Sequence, residues 1–193
     1  RMRVQKLTSW RTAFIILTSQ EPATKDLEKV LWAGELNIDG YIYKPFTPDK
    51  LLWKIIELLD IKKKLTPIYN LMHNEEYLKA IQCCIAQKNK IFTQNSQSNQ
   101  KKYLADVIHL ELVSYLKMKD YQWIVKLFRE ALTYKGSSIT KKGWFLYFYA
   151  KSLYQLWEYS EAEKISESIK KVYPQYVKNY ELLADIFHAQ KKD

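Results

Sequence analysis

Two side chains stand where an anion could be met. Thr18 follows the apolar run Ala13-Phe14-Ile15-Ile16-Leu17, and Lys44 follows Tyr41-Ile42-Tyr43, with Pro45 and Phe46 directly after it. A hydroxyl donor and a point cation brought together would neutralise the oxygens of a phosphoryl group. Taken singly the two are ordinary: a strand-end threonine caps the helix that follows, and a lone lysine is a solvated surface charge. A second group combines rings with charge. Trp144, Tyr147, Lys151 and Tyr154 recur at helical spacing and so share one face. Aromatic and basic groups on one face suit an extended or helical peptide. The competing explanation, that the rings pack between neighbouring helices, carries equal weight.

Other chemistry lacks its residues. His73, His109 and His188 share no metal-ligand spacing. With only four glycines the chain has no Gly-rich phosphate loop, and no serine sits in a nucleophile elbow. No carboxylate pair stands out, so no catalytic residue and no metal ligand is assigned, and the chain is expected not to be an enzyme. Cys83 and Cys84 are adjacent, which suits core packing in a reducing cytoplasm better than a disulfide staple. The longest strongly apolar stretch, residues 13–17, is too short to cross a bilayer, so no membrane association is expected. Arg1-Met2-Arg3 leads into polar residues instead of the apolar core of a signal peptide.

The net charge of +10 invites nucleic acid as a partner. Its distribution argues against one. Residues 1–64 carry 12 basic and 8 acidic side chains, leaving 19 and 13 for the rest, an excess of +4 and +6. The bias is diffuse, and Lys62-Lys63-Lys64 reads as a solvated helix end.

The elements that must position these groups fall into two textures. Ala13–Leu17 reads as a covered parallel strand, Ala23–Trp32 as a helix ended by Gly34, and Tyr41–Tyr43 as a second strand. Thr47-Pro48-Asp49 opens a helix whose Leu51, Leu52, Ile55, Ile56, Leu58 and Leu59 form a face wide enough to lie on a sheet. This alternation predicts an α/β unit over residues 1–61. The chain opens on Arg1 and meets a buried-looking strand at once, so a longer reading frame is expected upstream.

Residues 62–193 read as helices, interrupted by the polar stretch Thr93–Gln100. An internal repeat runs through them. Leu146, Tyr149, Ala150 and Leu153 recur 34 residues later as Tyr180, Leu183, Ala184 and Phe187, with Tyr159, Ala162 and Pro174 between. Asp120-Tyr121 with Phe128 and Ala131 is a looser copy in which Ile124 stands for alanine, and Glu76-Tyr77 with Ala80 is another. Alanine at a helix crossing lets two backbones approach, and hairpins of this kind need neighbours to bury their faces. The last unit has one helix, Tyr176 to about Gln190, with its apolar face uncapped.

This pattern resembles tetratricopeptide repeats. Residues 13–59, through Leu17-Thr18-Ser19, Ala33-Gly34, Gly40-Tyr41-Ile42 and Lys44-Pro45-Phe46-Thr47-Pro48, resemble the last two strands and helices of a bacterial response-regulator receiver. The joining segment Ile61–Tyr69 resembles regulators whose output is such a repeat array. The expected fold is therefore an α/β fragment, the C-terminal half of a flavodoxin-like receiver, followed by an all-α solenoid. The resemblance implies that Thr18 bonds a phosphoryl oxygen and that Lys44 contacts a phosphoaspartate. It also implies a cis bond from Lys44 to Pro45, and Tyr41 as the switch aromatic. The phosphoacceptor and the carboxylates for magnesium would lie upstream, because the first acidic residue here is Glu21. Phosphorelay signalling, a sensor histidine kinase for the complete protein and a protein or peptide ligand for the repeats follow from the same resemblance. A basic repeat protein binding nucleic acid, or a stand-alone repeat scaffold, are the alternatives.

Overall fold

A computed structural model describes residues 15–18, 40–93, 99–134 and 143–191. Two four-residue strands, β1 (Ile15–Thr18) and β2 (Gly40–Tyr43), pair in parallel, with Ile15 opposite Gly40 and Thr18 opposite Tyr43. The helices follow as α1 (Pro48–His73), α2 (Tyr77–Thr93), α3 (Asn99–Met118), α4 (Tyr121–Thr133), α5 (Gly143–Gln155), α6 (Tyr159–Val172) and α7 (Val177–Gln190). The helix expected over Ala23–Trp32 lies outside the described residues.

Each helix packs on its chain neighbours, and α1–α3 and α5–α7 also meet. Three turns repeat one geometry. Glu75, Lys119 and Trp157 adopt left-handed backbone, at φ 59, 57 and 67. The next residue's N–H reaches back over the helix end, from Glu76 to the Leu71 carbonyl, Asp120 to Tyr115 and Glu158 to Leu153, at 2.9, 3.0 and 2.9 Å. These bonds satisfy carbonyls that a helix end otherwise leaves open. The same acids start the next helix, their carbonyls accepting from Ala80, Ile124 and Ala162. α1–α2, α3–α4 and α5–α6 are therefore three hairpins of one design.

The expectation of an α/β fragment is overturned. Seven helices make up nearly all of the described secondary structure, and the extended backbone among the described residues is limited to the β1–β2 ribbon. The reason lies in α1. Its start follows the sequence, with Pro48 at the first position and Thr47 Oγ1 accepting from the Lys50 N–H at 3.2 Å. The face expected to lie on a sheet is covered only along one edge: Leu58 is buried and Leu51 and Ile55 are half-buried, while Leu52, Ile56 and Leu59 are exposed. Nothing in Asp60–Thr66 stops a helix, so α1 runs on through residue 61, the expected domain boundary, and past Pro67 to His73. Pro67 cannot donate to the carbonyl four residues back, and one turn-bond is lost there; Thr66 Oγ1 donates to the Lys62 carbonyl at 3.1 Å beside it. The buried residues of α1 are Leu58, Ile61, Leu65 and Ile68. The last three join Ala80 and Cys84 of α2 and Val107 and Leu110 of α3 in one apolar cluster. What was read as the last helix on a sheet is a helix of the helical array.

A larger cluster runs from Ile81 and Ile91 of α2 to Leu182 and Ile186 of α7. Ala150 and Ala162 are fully buried in it, and Phe128 stacks on Tyr149 with ring centroids 3.9 Å apart.

Candidate functional site

The backbone register fixes one relation between the predicted phosphate-contacting residues. Thr18 is the last residue of β1 and faces Tyr43, the last of β2, so Thr18 and Lys44 leave the parallel pair at the same end. Lys44 and Pro45 are exposed, the bond between them is cis, and Phe46 is half-buried. The side chains of Thr18 and Tyr41 lie outside the described ones.

The aromatic-basic stripe is present on α5. Trp144, Lys151 and Tyr154 are half-buried, while Tyr147 is only 7% exposed and belongs to the core. Trp144 lies against His109 of α3 with ring centroids 4.6 Å apart, and Tyr147 meets Tyr176 edge-on at 5.3 Å. Tyr154 approaches Tyr159 at 5.6 Å, and the Lys151 ammonium lies 5.9 Å from the Tyr147 ring centre. The rings thus tie α5 to its neighbours, and Trp144 and Tyr154 stay partly exposed. Asp106, His109, Val113 and Leu116 of α3 form a half-buried band ahead of the stripe, and Lys178, Glu181 and Asp185 of α7 an exposed one beyond it.

Sequence reading missed a buried ionic cluster. The Lys88 ammonium of α2 lies 2.8 Å from Glu111 Oε2 of α3 and 2.9 Å from Glu130 Oε1 of α4. Lys88 and Glu111 are 3% and 2% exposed, so their charges depend on each other and not on water. Tyr134 donates to the same Glu130 oxygen and lies against Phe92. Burial raises the Glu111 carboxyl above its ordinary range despite Lys88. For Lys88 burial pulls the other way, but the Glu111 charge and bonds to both carboxylates hold the ammonium above its usual value. Glu130, also opposed by burial, is held low by its bonds to Tyr134 and Lys88. The available signal was Glu111 in the apolar phase of α3, between Ile108 and Leu112 and Tyr115; its partners are on other helices and have no local signature.

Tyr149 donates to Glu161 Oε1 at 2.7 Å, and burial with that bond pushes its phenol up to about 12. Among the described residues no three His, Cys, Asp or Glu side chains gather as a metal site, and no helix is long and apolar enough to cross a membrane. Comparison of the chain with protein-family models, curated proteins and solved structures returns no match.

Proposed function

We propose that this chain is a non-catalytic binding module in phosphorelay signalling, whose helical hairpins engage a protein partner. The observation that carries the binding part is the half-buried stripe of Trp144, Lys151 and Tyr154 on α5, framed by α3 and α7. Rigid rings already held by neighbours lose little conformational freedom when a peptide covers them, which suits interface anchors. The phosphorelay part is supported by the shared strand end of Thr18 and Lys44, together with the resemblance of those segments to response regulators.

Two measurements test it. Lys151→Glu with Tyr154→Ala should leave the chain folded, at a modestly lower melting temperature because Tyr154 packs on Tyr159, and abolish capture of the partner that the parent chain retains; undiminished capture rejects the stripe. In a chain that also carries a phosphoacceptor aspartate, acetyl phosphate with magnesium should change partner affinity, and Lys44→Ala should remove that change. If phosphorylation has no effect on affinity, the phosphorelay part fails. Nucleic acid is the competing partner, and tight, steeply salt-dependent binding to it at physiological ionic strength would favour that reading instead.

A further inference from the structure

Trp157 occupies a backbone position that glycine fills most easily. In the three equivalent turns the left-handed residue is Glu75, Lys119 or Trp157; the first two extend a polar chain into water, but Trp157 leaves 77% of its surface exposed. Both the backbone conformation and the solvent disfavour a tryptophan there. The fold therefore gives no reason for this ring.

The ring stands beside an open groove of about 890 Å³ between the start of α6 and the end of α7, lined also by Glu158, Tyr159, Glu161, Lys164 and Gln190. Trp157 and Tyr159 meet edge-on, with centroids 6.0 Å apart. Glu158 makes no side-chain bond to the helix it starts, and Glu161 accepts from Tyr149 through one oxygen. Two carboxylates and two rings thus face the groove against one ammonium, an acidic and aromatic spot on a chain of net charge +10. Acids near a helix start also complement its dipole, which accounts for Glu158 and Glu161 but not for the tryptophan beside them.

We propose that this groove takes the cationic side chain, lysine or arginine, of a partner peptide. The aromatic faces hold the cation and the carboxylates neutralise it. This rests on the protein-binding reading and names partner chemistry for a second surface. Loss of the α5 stripe's partner would not touch it, and its own failure would leave that stripe standing.

The test follows the indole N–H signal that disappears in Trp157→Gly. A lysine pentapeptide should shift that signal saturably at physiological salt, where charges beyond about 8 Å are screened, and bind at least about tenfold tighter than a glutamate pentapeptide. Glu158→Gln with Glu161→Gln should weaken the lysine peptide by about tenfold or more. Trp157→Gly should melt at or above the parent's temperature. A lower melting temperature would make the ring a packing residue and overturn the proposal. So would an unmoved signal at about 10 mM lysine peptide, an equal response to the glutamate peptide, or full binding by the double glutamine variant.

Discussion

In the α5–α6 hairpin, Ala150 and Ala162 are fully buried where the helices cross, and Tyr149 fills the space beside them. In α3–α4 the positions at the same distances from the turn acid hold Leu112, Ile124 and Glu111, all buried as well. The two hairpins have the same turn, with the same left-handed residue and the same reach-back bond. Their interiors are unlike. Small residues let α5 and α6 approach along their length, whereas bulk at the crossing keeps α3 and α4 further apart. A tyrosine at position 149 can end its ring in a bond to Glu161. A carboxylate at position 111 needs a cation, and Lys88 from the preceding hairpin supplies one. Turn chemistry is thus repeated locally along the chain, while each interior is solved once, by whichever neighbour can reach it.

The largest effect should come from removing that cation. Lys88→Met leaves a buried carboxylate without its partner and should cost about 3–5 kcal/mol in urea unfolding, most of it recovered by adding Glu111→Leu. A loss below about 1 kcal/mol would mean that the ionic cluster contributes no more than a surface pair. Next comes the crossing position. Ile124→Ala installs the residue used in the other two hairpins, yet it should destabilise by about 2–4 kcal/mol, because the surrounding side chains are arranged around a larger one. Ala162→Ile should cost about 1–3 kcal/mol for the opposite reason, an overfilled crossing. If either exchange were neutral, the two interiors would be interchangeable and the contrast would fail.

Smaller changes address what the hairpins share. Lys119→Gly relieves left-handed backbone in an exposed turn and should raise stability by about 0.5–1 kcal/mol, measured as a shift of the urea midpoint at constant slope. The smallest effect is the response to mild alkali. Lys88 is raised, Tyr103 is pushed up to about 12 by burial, and Tyr149 to about 12. A group whose folded pKa lies above its unfolded one contributes stability that is complete below the unfolded value and lost as pH rises through the folded one. The urea midpoint should therefore hold near neutrality and fall progressively above about pH 9–10. A rise there would contradict the placement of these groups.

Much of this was legible in the sequence because it is local. Thr47-Pro48 marks a helix start by capping and by the missing N–H, and Glu76-Tyr77, Asp120-Tyr121 and Tyr159 mark the second helix of each hairpin. The 34-residue recurrence of Ala150 as Ala184 fell on α5 and α7, although Ala150 is fully buried and Ala184 exposed. The stripe of Trp144, Tyr147, Lys151 and Tyr154 was also visible, since one helical face is a matter of spacing alone. Tertiary structure decided the rest. Periodicity gives α1 an apolar face but not its partner, and only packing revealed that Ile61, Leu65 and Ile68 meet α2 and α3 while Leu52, Ile56 and Leu59 stay exposed. It also decided that Tyr147 is core while its neighbours on the stripe are half-covered, and that Lys88, Glu111 and Glu130 converge from three helices. Burial and charge pairing are properties of the space between helices, and spacing within one helix carries no record of it.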